Sequence, residues 1–310
     1  MPERVRIDAS TICQLKCAGC GFQNGEGDGL GRGYLTFENF RKFCEMNPFI
    51  KDIELSNYGE IFLNPDLIDI MYYAKERGIT LHCYNGANFN TVSDEQIHAL
   101  VDTGFKAISL SIDGASQETY SKYRIGGDFD RVIVNVKKLQ ELKKKTGSQF
   151  PELRWQYLLM EHNELEIGKA KKMAAELDIP IYFKYNWDPT YEPVHREYLT
   201  QQTGKKELTR AEYVATHEVG PYNGMCEKIF RTPQINWDGR MLGCSAKRYA
   251  TFDVNVFEMS LVEAIRSPKY IAAKECLMTV HPDKEKYGTC VCFDCPTRKL
   301  REKAEIEFKL

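Results

Sequence analysis

Residues 5–20 read VRIDASTICQLKCAGC. The first five alternate apolar and polar side chains and include β-branched residues, which is the pattern of a short strand. The chain then runs into Cys13, Cys17 and Cys20, three thiols in C-x3-C-x2-C spacing within one loop. Three is an awkward number for disulfides and one short of a closed tetrahedral metal site. Such a loop can hold three irons of a cubane cluster, leaving the fourth iron open to a ligand. A structural zinc with a distant fourth ligand fits the same spacing, as do buried thiols without a metal.

Working outward, five more strand patterns follow: DIELSN at 52–57, TLHCYN at 80–85, AISLSID at 107–113, LRWQYLL at 153–159 and PIYFKYN at 180–186. Segments of helical periodicity separate them, with start and stop signals such as Ser93 before Glu95 and Gln96, Pro65-Asp66, Gly78 and Gly104. Strand-helix alternation of this kind makes right-handed crossovers and a parallel sheet. Six units are too few for a closed eight-stranded barrel, so an α/β fold with a partial (β/α)6 barrel is expected. Reactive groups in such folds gather at the carboxyl ends of the strands. Cys13, Tyr58-Gly59-Glu60, Asn85-Gly86 and Asp113-Gly114 all fall there.

The 310 residues carry a net charge of -2 and 28% charged side chains, so composition gives no sign of a nucleic-acid or anionic-membrane partner. The basic run KKLQELKKK at 137–145 has helical spacing and reads as a solvated helix face. There is no apolar signal core and no long apolar run, which predicts a cytoplasmic protein. Eleven cysteines clustered toward both ends then favour metal sites over disulfides. Cys44 and Cys83 sit within helix and strand patterns and are expected in the core.

Three later stretches extend the signal from the cysteine loop: NYGEIFLNPDL at 57–67, YNGANF at 84–89 and SLSIDGASQETYSKYRIGGDFDRVIVNV at 109–136. With the loop, they make the first 186 residues resemble the radical S-adenosylmethionine (SAM) superfamily. The resemblance implies a SAM-binding [4Fe-4S] cluster on Cys13, Cys17 and Cys20. It also implies Gly59 and Glu60 at the methionine amino group, Asn85 in the third-strand motif, and Ser111 and Arg124 at the methionine carboxylate. A guanidinium fork suits that last task. One departure is Gly19, which stands where the family usually has an aromatic residue near the adenine; Phe22 is the candidate replacement.

After about residue 187 the periodicity stops. Residues 1–190 are read as the barrel, 191–220 as a polar linker or lid, and 221–310 as a small cysteine-rich domain. Trp187, Tyr191, His195, Tyr198 and His217 in or beside the linker are candidate substrate contacts, with a packed linker as the plainer reading. In the last segment Cys226 is followed by x12-Gly239-x4-Cys244, then by GTCVCFDC at 288–295. This is similar to the SPASM auxiliary-cluster domain, with Gly239 suited to a hairpin turn. No cysteine follows Cys295, so the shorter, single-cluster twitch version is implied, with Cys226, Cys244, Cys292 and Cys295 holding an auxiliary [4Fe-4S] cluster. Structural zinc is the alternative. Cys276 and Cys290 remain as substitute ligands, buried thiols, or hydrogen-atom donors of an epimerase.

By resemblance, the expected protein is a radical SAM oxidoreductase acting on an unactivated C–H of a peptide, with the auxiliary cluster in electron transfer and a flavodoxin or ferredoxin as electron donor. Dehydrogenation or epimerisation of a sugar, aminocyclitol or nucleotide-linked polyol is the rival. The chain starts almost at strand one, which leaves no room for an N-terminal peptide-recognition domain. A non-catalytic zinc protein is the third reading.

Overall fold

A computed structural model describes residues 1–22, 25, 28–186, 188–217, 226–244 and 251–305. Six parallel strands, β1 (Arg4–Ile7), β2 (Asp52–Glu54), β3 (Thr80–Ala87), β4 (Ala107–Ser111), β5 (Glu152–Leu159) and β6 (Ile181–Tyr185), form the expected partial barrel. The connecting helices are α1 (Phe37–Met46), α2 (Leu67–Glu76), α3 (Asp94–Asp102), α4 (Gln117–Tyr123), α5 (Phe129–Thr146) and α6 (Ile167–Glu176). Their boundaries follow local chemistry. Ser93 and Gln96 close a reciprocal capping box on α3, Asp128 caps α5, and Gly78, Gly104 and Gly147 take positive φ as the chain leaves a helix.

The two faces of the strands differ. Val5, Ile7, Ile53, Leu55, Leu81, Ile108, Leu110, Trp155 and Tyr157 join one apolar cluster with Phe40, Phe43, Ile70 and Val132 from the helices. Cys44 and Cys83 belong to that core, as expected. The alternate strand positions carry Arg6, Asp8, Glu54, His82, Tyr84, Ser109, Ser111, Arg154, Gln156, Tyr182 and Lys184. Parallel sheets are ordinarily apolar on both faces, so a polar inner wall marks an interior built to hold something other than hydrocarbon.

The region after β6 is more structured than its polar sequence suggests. Helices α7 (Arg196–Thr203) and α8 (Arg210–His217) replace the expected irregular linker, with Leu199 of α7 and Leu208 in the turn before α8 buried. Next come α9 (Lys228–Arg231) and the strands β7 (Gln234–Ile235), β8 (Arg240–Leu242) and β9 (Thr251–Asn255). β7 pairs in parallel with β1, and β8 and β9 add antiparallel strands, so the cysteine-rich region extends the barrel's own sheet. Gly239 makes the predicted turn at φ +89°, where a Cβ would fall 2.1 Å from Asn255 Oδ1. The chain closes with α10 (Leu261–Ala264), α11 (Pro268–Met278), α12 (Lys284–Tyr287) and α13 (Pro296–Lys303). Among the described residues no helix is long and apolar enough to cross a membrane.

Candidate active site and auxiliary cysteine cluster

The cysteine loop is tied to its neighbours by main-chain hydrogen bonds. Lys16 N donates to Ile125 O (2.9 Å) and Ala18 N to Tyr123 O (3.2 Å), while Gly59 N and Glu60 N donate to Ser10 O (3.0 Å) and Ile12 O (2.9 Å). Gly59 is where these backbones touch: a Cβ there would lie 2.3 Å from Ser10 O and 2.7 Å from Ile12 O. Its requirement for glycine is therefore packing against the cysteine loop.

Glu60 is buried, and its carboxylate accepts from Phe62 N (3.3 Å) and Asn88 N (2.6 Å). Burial pushes it up to about 7, against those two hydrogen bonds. Asn88 was not singled out from the sequence. It accepts from Gln14 Nε2 (2.8 Å) and points Nδ2 at Cys13 Sγ (3.7 Å), joining the Glu60 loop to the cysteine loop.

Asn85 donates through its side chain to Asn57 O (2.9 Å), and its N–H meets Glu54 Oε1 (3.1 Å) and Ser56 Oγ (3.1 Å). Glu54 in turn accepts from His82 Nδ1 (2.8 Å), whose Nε2 meets Asp52 (2.7 Å). Gly86 has φ +122° and faces Ser111, whose Oγ would lie 2.4 Å from a Cβ. That close approach brings the third- and fourth-strand residues together.

Arg124 already has protein partners on most of its guanidinium. Its Nε donates to Asp113 Oδ2 (2.6 Å) and its Nη2 pairs with the same oxygen at 2.5 Å. Asp113 is fully buried, and its other oxygen accepts from Leu158 N (2.7 Å). The remaining Nη1 donates to Cys17 Sγ (3.3 Å). Burial works against the guanidinium charge, yet the Asp113 carboxylate and Cys17 hold it well above its ordinary range. One edge of the fork is thus occupied, leaving Nη1 as the arm toward the loop.

Phe22, the candidate replacement, is not itself among the residues lining the cavity beside the cysteines. It stacks on Tyr58 with centroids 5.7 Å apart and packs with Leu30 and Leu242. The space beside Gly19 is taken by Tyr123, whose Oη would lie 2.8 Å from a Cβ at that position. A larger side chain at 19 would collide with Tyr123, which is the physical reason for the small residue.

Cys13, Cys17, Cys20, Gly59, Glu60, Asn85, Ser111 and Arg124 all line one cavity at the carboxyl ends of the strands. Tyr123, Gln156 and Lys184 line it too; Tyr123 lies in the 109–136 stretch without having been singled out, and the other two sit on strands outside the motifs. A larger open groove, about 1080 Å³, lies at the amino ends of β1 and β2 and contains none of these residues. Of the linker aromatics, Tyr191 packs edge-on against Tyr123 (6.2 Å), whereas His195 pairs with Glu164, Tyr198 Oη reaches Leu165 O (3.4 Å) and His217 pairs with Glu207. Only Tyr191 of the described four touches the cavity wall; Trp187 lies outside the described residues.

In the C-terminal region Cys226, Cys244, Cys276, Cys292 and Cys295 are buried and Cys290 is half-buried. Cys290 sits between Cys276 and Cys292, with Cys292 N donating to its sulfur (3.4 Å). Neither Cys276 nor Cys290 lines the cavity described above; both lie with the other C-terminal thiols. Two arginines of α13 are buried there, Arg301 beside Cys226 and Arg298 near Cys276. Arg298 Nη1 is buried without a hydrogen-bond partner. Such a donor fits a thiolate-ligated, net anionic iron-sulfur group, which lowers the cost of burying it. The first site fits one as well: three thiols in a single cavity, with a guanidinium N–H on one of them. Among the described residues, no three His, Cys, Asp or Glu side chains are placed to hold a single metal ion.

The model of the radical SAM superfamily matches residues 7–150. The AdoMet-dependent heme synthase of Methanosarcina barkeri is 26% identical over 191 residues, covering 61% of this chain and 52% of that protein. The chain spans about half the length of the leading curated relatives it matches. Streptococcus suis SuiB superposes with a TM-score of 0.67 at 16% identity, over 89% of this chain and 68% of SuiB. BtrN in complex with AdoMet and 2-DOIA gives 0.52 at 13% identity, over 96% of this chain and 93% of BtrN. At these identities the two structures speak for the fold alone, a partial barrel with a cysteine-rich C-terminal region.

Proposed function

We propose, from the premise that residues 7–150 form a radical SAM superfamily domain, that this chain is a radical SAM oxidoreductase that removes hydrogen from an unactivated C–H of a peptide. One observation carries the reading: eight residues expected from four separate sequence segments line one cavity. When bound, SAM and its [4Fe-4S] cluster supply reductive cleavage to a 5'-deoxyadenosyl radical, and the cofactor carries the difficult chemistry.

The protein's part is to hold and enclose. Cys13, Cys17 and Cys20 would ligate the cluster. Arg124 Nη1 and Ser111 would take the methionine carboxylate, and Glu60, fixed by Asn88 N and Phe62 N, the amino group. Tyr123, beside Gly19, would form the wall for the adenine. Cys226, Cys244, Cys292 and Cys295 would hold the auxiliary [4Fe-4S] cluster, for which Arg298 and Arg301 offset charge. A closed four-thiolate site leaves no position for substrate, so electron transfer is its assigned task. A reduced flavodoxin or ferredoxin would supply the electron.

The peptide assignment draws on SuiB, which has been solved bound to the precursor peptide SuiA. The polar inner wall supports a second reading, oxidation or epimerisation of a sugar, aminocyclitol or nucleotide-linked polyol.

The test is iron and sulfide content of anaerobically reconstituted protein, with 5'-deoxyadenosine measured after adding SAM and dithionite. About eight irons should fall to about four in Cys13→Ala/Cys17→Ala/Cys20→Ala, with 5'-deoxyadenosine lost. Zinc in place of iron would overturn the proposal and leave a structural metal protein.

A further inference from the structure

Arg154 on β5 and Lys184 on β6 project from the inner wall, and both lie against the ring of Tyr182. The Arg154 guanidinium carbon is 5.0 Å and Lys184 Nζ 5.6 Å from its centroid. Lys184 Nζ donates to Gln156 Oε1 (2.6 Å), which also accepts from Tyr182 Oη (2.7 Å). Arg154 Nε donates to Ser109 Oγ (2.7 Å), and its guanidinium carbon lies 4.6 Å from the centroid of the Tyr84 ring. Every group on these two cations is neutral; among the described residues neither has a carboxylate within ion-pair distance.

The carboxylates of the same wall are engaged elsewhere. Asp113 is held by Arg124, Asp52 and Glu54 by His82, and Asp8 is buried and pushed up to about 8. Partly buried cations without counter-charge are costly. Burial, with Arg154 close by, holds Lys184 down to about 8. An oxyanion between the two would relieve that cost.

We infer that Arg154 and Lys184 form an anchor for an oxyanion of the substrate, a carboxylate or a phosphate, seated beside the SAM cavity on the Tyr182–Gln156 platform. The placement fits because Gln156 and Lys184 line the same cavity as the cysteine loop. An anchored anionic end would fix which C–H of the substrate faces the radical, as binding away from the reacting centre does in general. The inference rests on the reading of that cavity as the SAM site.

Calorimetric titration of inorganic phosphate and, separately, acetate into the reconstituted full chain loaded with SAM, at fixed ionic strength, tests it. At least one anion should bind beside SAM, and its affinity should fall at least about tenfold, as expected for a lost charged hydrogen bond, in Lys184→Gln and in Arg154→Gln. Lys184→Arg should retain most of it. The preferred anion distinguishes a phosphate-bearing from a carboxylate-bearing substrate. Thermal unfolding checks each variant, and either Gln substitution suffices if the other does not fold. Absent binding, or binding indifferent to both substitutions, overturns the anchor; so does displacement of SAM, which would give these cations to the SAM carboxylate. If the wild type binds an anion through both residues but does not bind SAM, the SAM assignment fails instead.

Discussion

Cys17 meets Arg124, itself clamped by fully buried Asp113, in a cavity that also exposes Tyr123 and Lys184. Cys292 and Cys295, buried as Cys17 is, lie instead near the other C-terminal thiols and the arginines of α13, a helix whose N-cap is Cys295 itself. The first group is built from strand ends and loops that leave room beside the sulfurs. The second is enclosed, with positive charge buried around it. Under the proposed function, the first would take a reacting ligand and the second would only pass electrons.

The largest effect should come from Asp113→Ala. It leaves Arg124 buried and unpaired, which typically costs about 3–5 kcal/mol, and urea unfolding should show it. Iron retained at the C-terminal site in that variant would sharpen the contrast between the sites. Gly59→Ala comes next: the new Cβ meets two loop carbonyls that cannot swing away. A loss of about 1–3 kcal/mol is expected, with lower iron occupancy at the first site alone.

Arg298→Met acts on the other group. Removing a buried cation near the C-terminal thiols should make the auxiliary midpoint potential more negative, by about 50 mV or roughly 1 kcal/mol per electron, and leave the first cluster's potential unchanged. Redox titration followed by electron paramagnetic resonance (EPR) measures both.

The smallest effect concerns the support under Asn85. Burial opposes charge on His82, but hydrogen bonds to Asp52 and Glu54 raise it above the ordinary histidine value. Its contribution is therefore complete below the unfolded value of about 6.5 and lost as pH rises through the folded one. Asp52 and Glu54 resist burial's upward push and are held low by His82; their contribution is present above about pH 4 and lost as pH falls. His82→Gln should cost about 1–2 kcal/mol near pH 5.5 and less at pH 9.

The cysteine loop was legible in the sequence because spacing within a short segment survives folding, whereas the C-terminal thiols, spread from Cys226 to Cys295, were grouped only by resemblance. The six strands were legible too, and five of the six connecting helices; α4 was hidden inside a motif read for its side chains. Helices α7 and α8 were missed because α7 offers only Leu199 to the core and α8 buries no side chain at all, too little for a visible period. The Arg124–Asp113 pair and the Tyr123–Gly19 fit depend on tertiary contact, so no spacing reveals them. Arg154 and Lys184 had a visible signal. LRWQYLL and PIYFKYN alternate polar with apolar residues, which in a parallel sheet with helices outside means a polar interior.

The central claim is that only the Cys13–Cys20 group answers to SAM. EPR spectra of dithionite-reduced protein with and without SAM test it directly, in the wild type and in Cys13→Ala/Cys17→Ala/Cys20→Ala. The account predicts that SAM changes the wild-type signal and leaves the variant's remaining auxiliary signal untouched. A SAM-responsive signal surviving in the triple variant would contradict it.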